Sequence, residues 1–176
     1  MISVATAPQF SVPRYPHGSA NSAATAHLLV TQGAEKVAVG DLRVGFNCTG
    51  TTHLALNDFA SLSALKEALV THLSRSHVGL QLELLGDEAF VWSLHPLGRA
   101  AGLEDDEIIV NSISAEGHHQ VYCVHCCHLQ VTDAAHSLNC HSCGVGLEVR
   151  QHFSQRLGAY LGVCANADQP YSKVCQ

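Results

Sequence analysis

The sequence has no apolar run approaching the roughly 18 to 20 residues that a membrane-spanning helix requires, and Leu28-Leu29-Val30 is far too short to serve as one. Its start lacks a basic stretch followed by an apolar one, so no secretory signal is expected and the chain is expected to work in the cytoplasm. Basic residues are scarce: there are nine, three of them lysine, against fifteen acidic residues, for a net charge of -6 with histidine neutral. Six basic and eleven acidic residues precede Ala115, and three basic and four acidic residues follow it. Neither part offers a basic face for a phosphate backbone, so nucleic acid is excluded as an expected partner.

Apolar residues nevertheless make up 47% of the chain and charged ones only 14%, enough to bury a core and too apolar for general disorder. A length of 176 residues gives room for one ordinary domain together with a module too small to fold without a staple. In a reducing compartment the eight cysteines are expected to be thiols or metal ligands rather than disulfides.

Residues 1–27 carry three prolines and a Ser/Ala-rich run from Gly18 to Thr25 without an apolar period, which predicts an extended arm. Leu28-Leu29-Val30 predicts a buried strand, Ala34 to Leu42 a helix or hairpin, and His53 to Leu56 a second strand. Ser61 is placed to cap a helix on which Leu62, Leu65, Leu69 and Leu73 share one face. Leu80, Leu82 and Leu84 alternate with Gln81 and Glu83, as in a strand. After Gly86, the acids Asp87 and Glu88 suit the start of a helix with Phe90, Leu94, Leu97 and Ala101 inward, which Pro96 should kink or shorten. Gly102 stops that helix, and Ile108-Ile109-Val110 is a further strand.

Strands alternating with helices in this order predict an α/β domain over 28–114 with a small parallel, Rossmann-like sheet. Cysteine and histidine dominate after Glu116-Gly117-His118-His119, which sets off a second module over 115–150 and a tail over 151–176.

That module carries the strongest chemical signal. Cys123-x-x-Cys126 and Cys140-x-x-Cys143, thirteen residues apart, have the spacing of a four-thiolate site in which each pair sits on a tight knuckle. Zinc is the first expectation, forming a closed structural ribbon with no coordination position left for catalysis. Iron in the same thiolates would make a one-electron carrier, and His125, His128 or His141 could replace a thiolate. Gly144 follows the second pair as a knuckle requires, whereas Cys127 stands at the matching place in the first, either as a spectator or as a competing ligand. Cys48, Cys164 and Cys175 are isolated and expected to be packed or idle.

Two stretches bear a family resemblance. Leu84 to Phe90, followed by Gly98-Arg99-Ala100-Ala101-Gly102-Leu103, resembles the end of a ferredoxin-reductase nicotinamide-binding domain, with Leu85 at the family's cysteine position and Asp87 at its proline position. The resemblance makes Gly86, Glu88 and Phe90 the cofactor-facing candidates. However, Thr31-Gln32-Gly33-Ala34-Glu35 after the first strand is not the glycine-rich loop that cradles phosphates.

The other stretch comprises Val121 to Cys126, Cys140 to Gly144, and Val149 to Val163, together with the Gly86–Phe90 turn and Trp92. It is similar to the small A-type subunit of bacterial dimethylamine monooxygenase. That resemblance implies a subunit of a multi-component, NAD(P)H- and oxygen-dependent enzyme that converts dimethylamine to methylamine and formaldehyde. It places NADPH, haem, FMN and an iron–sulfur cluster in the partner reductase and haem oxygenase subunits. This chain would then be an accessory part, not itself catalytic; a free-standing ribbon adaptor is the other reading.

His152, Phe153, Arg156 and Tyr160 can share one face of a helix, with Leu157 and Leu161 on an adjoining stripe. Phe153, Arg156 and Tyr160 are the candidates for docking partner subunits, because aromatic and arginine side chains carry much of the energy at interfaces. The same segment could instead be a helix or strand that packs the ribbon against the α/β domain.

Overall fold

A computed structural model describes residues 11–13, 15, 24–33, 51–112 and 117–170. The chain divides into two compact units, one over 15–117 and another that joins residues 11–13 to 118–170. The Ala34–Leu42 segment, Glu116, Cys48, Cys175 and residues 18–23 of the Ser/Ala-rich run lie outside the described residues.

In the first unit, β1 (Ala26–Thr31), β2 (Thr51–Ala55), β3 (Leu80–Gly86) and β4 (Ile108–Ser112) form a parallel sheet in the order β2-β1-β3-β4. Two helices, α1 (Leu62–Ser74) and α2 (Glu88–Ala100), link β2 to β3 and β3 to β4. This is the α/β arrangement that the alternating pattern implies, since parallel neighbours need crossover connections.

Each helix starts where a side chain can take an orphan amide. Ser61 accepts from the Ala64 N–H at 3.2 Å, and Asp87 accepts from the Phe90 N–H at 2.8 Å. Leu65, Leu69 and Leu73 are the buried stripe of α1, as their spacing predicts. On α2 the buried face is rotated from the expected one: Val91, Leu94, His95 and Gly98 are buried with Phe90, while Leu97 is half-buried and Ala101 exposed.

The helix also runs through Pro96 to Ala100 without being shortened. Pro96 removes one intrahelical bond, but the Asp87 cap and the burial of six α2 side chains besides Gly98 outweigh that loss.

All seven β3 residues are buried, including Gln81 and Glu83. Glu83 accepts a 2.8 Å hydrogen bond from Asn111 Nδ2 on β4. Burial pushes its carboxyl above the usual glutamate range, and the Asn111 bond only partly offsets this.

The second unit is a five-stranded sheet in the order β6-β5-β9-β8-β7, built from β5 (His119–Cys123), β6 (Leu129–Thr132), β7 (Ser137–Asn139), β8 (Gly146–Ser154) and β9 (Ala159–Cys164). The helical face expected across His152–Val163 is instead a β-hairpin. Gly158, at φ +63°, supplies the left-handed residue of the turn between β8 and β9, and Phe153 pairs with Tyr160 across it. β8 continues across position 150, so the run after the cysteine module shares the module's sheet. Residue 11 adds one further bond: the Phe153 N–H donates to the Ser11 carbonyl at 2.8 Å.

Candidate metal centre

The four cysteines occupy two matching turns, one between β5 and β6 and the other between β7 and β8. In the first, the Cys127 N–H donates to the Cys123 carbonyl at 2.8 Å and the Cys123 N–H to the His128 carbonyl at 2.9 Å. In the second, the Gly144 N–H donates to the Cys140 carbonyl and the Cys140 N–H to the Val145 carbonyl, both at 2.9 Å. Equivalent backbone closure at both turns aims Cys123 and Cys126 at Cys140 and Cys143.

The sulfur atoms of Cys123, Cys126, Cys140 and Cys143 all lie within 4.8 Å of one another. Cys123 and Cys143 are 3.9 Å apart and Cys126 and Cys140 are 3.6 Å apart. A tetrahedron with metal–sulfur bonds of ~2.3 Å has edges of roughly 3.8 Å, so the cluster already has the size of a closed four-thiolate metal site. Among the described residues these four form the convergent ligand group; Cys127, His125, His128 and His141 are not part of it.

Burial pushes the Cys123 thiol up to about 12. Cys126 comes down to about 7, because the His128 amide and the neighbouring thiols outweigh its own desolvation. A metal ion bound there would hold the sulfurs as thiolates.

The ligands also form part of the module's core. Cys123 and Cys140 are buried with Val121, Leu138, Val145 and Leu147. Gln130, a buried polar residue on β6, donates from Nε2 to the Asn139 carbonyl at 3.2 Å and accepts the His141 N–H on Oε1 at 2.8 Å. It therefore holds the second knuckle from the opposite strand. Sequence reasoning overlooked it, and its one signal was a polar side chain facing inward between Leu129 and Val131.

Cys127 has φ +61°, a left-handed conformation matching the +73° of Gly144. Its thiol is exposed. A side chain in that conformation costs roughly 1–2 kcal/mol, which glycine avoids. Cys127→Gly is therefore expected to keep full metal content and to raise the module's stability by up to about 1 kcal/mol, measured by thermal unfolding alongside metal analysis. A fall in metal content would make Cys127 a ligand.

The Gly86, Glu88 and Phe90 turn sits at the carboxyl end of β3, beside the β1 terminus where the strand order reverses. Crevices at such switch points take ligands in open α/β sheets. Here the chain's own side chains occupy it. Gln32 Oε1 accepts the Asp87 N–H at 2.6 Å, and Gln32 Nε2 donates to Asp87 Oδ2 at 2.9 Å. A Cβ on Gly86 would collide first with the Phe90 ring and would lie 2.8 Å from Gln32 Oε1 and 2.9 Å from Gln32 Cβ, so the glycine is required by the close approach of both Phe90 and Gln32. Glu88 accepts a hydrogen bond from the Tyr15 hydroxyl, and Phe90 is buried.

The Asp87 and Phe90 amides are therefore taken, with two carboxylates beside them. Titration of the purified chain with NADPH should give no saturable heat; micromolar binding would mean that Gln32 vacates the crevice.

Of the docking candidates, Phe153 is buried, 1% exposed, and so belongs to the module's packing. Tyr160 is half-buried, edge-on to Phe153 at 5.0 Å and to His119 at 5.4 Å. Arg156, on the β8–β9 turn, is exposed.

A model of the C-terminal domain of the DmmA-like dimethylamine monooxygenase subunit matches residues 120–163, which contain all four sulfur ligands. The heme-dependent oxidative N-demethylase delta subunit of Ectopseudomonas mendocina (strain ymp) is 56% identical over 174 residues, covering 99% of each chain. No solved structure matches the chain.

Proposed function

This chain belongs to the family of heme-dependent oxidative N-demethylase delta subunits, and from that membership we propose that it is a non-catalytic subunit of such an enzyme, stapled by one structural zinc ion. The observation that carries this reading is the closed cluster of four sulfur atoms within 4.8 Å, in a chain similar over its full length to the delta subunit. Zinc held by Cys123, Cys126, Cys140 and Cys143 has all four positions filled by sulfur, so it supplies folding energy and no chemistry.

In this reading the oxidative step takes place on other subunits. The amine is dimethylamine, demethylated to methylamine and formaldehyde with NAD(P)H and oxygen, and haem, FMN, NADPH and an iron–sulfur cluster reside in the reductase and haem oxygenase subunits. The filled crevice at Gln32 and Asp87 supports leaving nicotinamide binding to a partner. Among the described residues no helix is long and apolar enough to cross a membrane.

Docking of those partners rests on the β8–β9 turn. Arg156 projects from the turn of a hairpin whose strands belong to the five-stranded sheet, and its planar guanidinium suits bidentate pairing with a partner carboxylate. Tyr160 and Phe153 hold that hairpin from inside. Arg156→Ala is expected to leave metal content and circular dichroism unchanged while weakening co-purification with the other subunits by about 2 kcal/mol, roughly thirtyfold in affinity. Unchanged assembly by this variant would move the docking surface elsewhere.

A further inference from the structure

β6 is a four-residue edge strand of the five-stranded sheet, and among the described residues no strand pairs with its outer side. It contains no lysine, no proline and no charged residue, and it exposes Leu129 at 41% and Val131 at 51%.

The hydrogen-bond phase of the β5–β6 ladder shows which backbone groups that edge offers. The Cys123 N–H donates to the His128 carbonyl, so Cys123 and His128 are a hydrogen-bonded pair, and by alternation Val121–Gln130 and His119–Thr132 are too. The intervening residues Leu129 and Val131 therefore turn their N–H and C=O groups away from β5. The same two residues place their side chains beside Tyr122, which is paired with both Leu129 and Leu161, on the sheet face opposite Val121 and Cys123.

We propose that β6 is a self-association edge, pairing antiparallel with β6 of a second copy of this chain about a two-fold axis at Gln130. In that register Leu129 of one copy lies opposite Val131 of the other, and the reverse. Their outward backbone groups form four N–H···O=C bonds, and two aliphatic cross-strand pairs close on one face.

The edge suits its own copy for three reasons. Its two outward-facing residues, Leu129 and Val131, are both aliphatic and flank Gln130 symmetrically. The Gln130 side chain is bound to Asn139 and His141 on the other face and does not obstruct the pairing. The ionisable groups flanking the strand are His128 and Asp133, and the two-fold brings His128 of one copy near Asp133 of the other rather than like charges together.

The test is sedimentation equilibrium of the full chain, metal-loaded, from low micromolar to hundreds of micromolar, for wild type, Leu129→Lys with Val131→Lys, and Val131→Pro. The proline variant removes an N–H that the chain's own sheet does not use, so an edge strand tolerates it, while it deletes two of the four intermolecular bonds. The wild type is expected to be a reversible dimer. Both variants are expected to raise its dissociation constant by about thirtyfold or more while retaining metal, and Arg156→Ala is expected to leave it unchanged. A wild type that stays monomeric throughout would overturn the proposal, as would a dimer that survives Val131→Pro. A monomeric wild type whose co-purification with another subunit is lost in the lysine variant would also overturn it, and would assign the edge to a strand of that subunit.

Discussion

Cys140→Ser is expected to lose about one equivalent of metal and to unfold the C-terminal sheet, while the α/β unit keeps its two helices. Cys140 is 2% exposed and its sulfur lies 3.6 Å from that of Cys126, so the substitution removes one metal ligand and one member of the core at once. The aliphatic residues fully buried around it are Val121, Leu138, Val145 and Leu147, too few to stabilise five strands unaided. Structural zinc contributes on the order of 10 kcal/mol in small modules, several times what such a core leaves after conformational entropy. Far-UV circular dichroism with metal analysis, read beside limited proteolysis of 118–170, separates the two units. Full metal content and a protected sheet in this variant would remove Cys140 from the ligand set.

Gly86→Val is expected to destabilise the α/β unit by roughly 1–3 kcal/mol, because a branched side chain there meets both the Phe90 ring and Gln32. The damage should spread to the start of α2, since Gln32 also holds Asp87, whose side chain caps the helix. Denaturant unfolding followed by Trp92 fluorescence reads this unit, because Trp92 is the chain's single tryptophan and is 2% exposed in α2. A neutral effect would mean that Gln32 leaves the crevice at little cost, and the crevice would then be open to a ligand.

Much of this molecule could be read from residue spacing. Leu65, Leu69 and Leu73 gave the buried face of α1, and the paired Cys-x-x-Cys motifs gave the four cysteines whose sulfur atoms converge, because both patterns reflect local geometry that repeats along the chain. β3 was harder. Leu80, Leu82 and Leu84 alternate with Gln81 and Glu83 as in a strand with one wet face, yet all are buried, since the second face of a parallel sheet is closed by contacts that no local period encodes.

The run after the ribbon failed for a different reason. His152, Phe153, Arg156 and Tyr160 fit a helical period, but Gly158 at φ +63° ends one strand and begins the next, and a glycine was the only local sign of that turn. The backbone of Cys127 was equally hidden, because a left-handed cysteine follows from matching two knuckles in space.

The central claim, a structural zinc site in a demethylase subunit, is tested most directly by metal analysis and visible absorption on the protein purified with its neighbouring subunits and then resolved as the single chain. About one zinc per chain, no visible absorption and no change on reduction is the predicted result. A chain that binds iron in these four thiolates, absorbs in the visible and bleaches on reduction would contradict it and make this subunit an electron carrier.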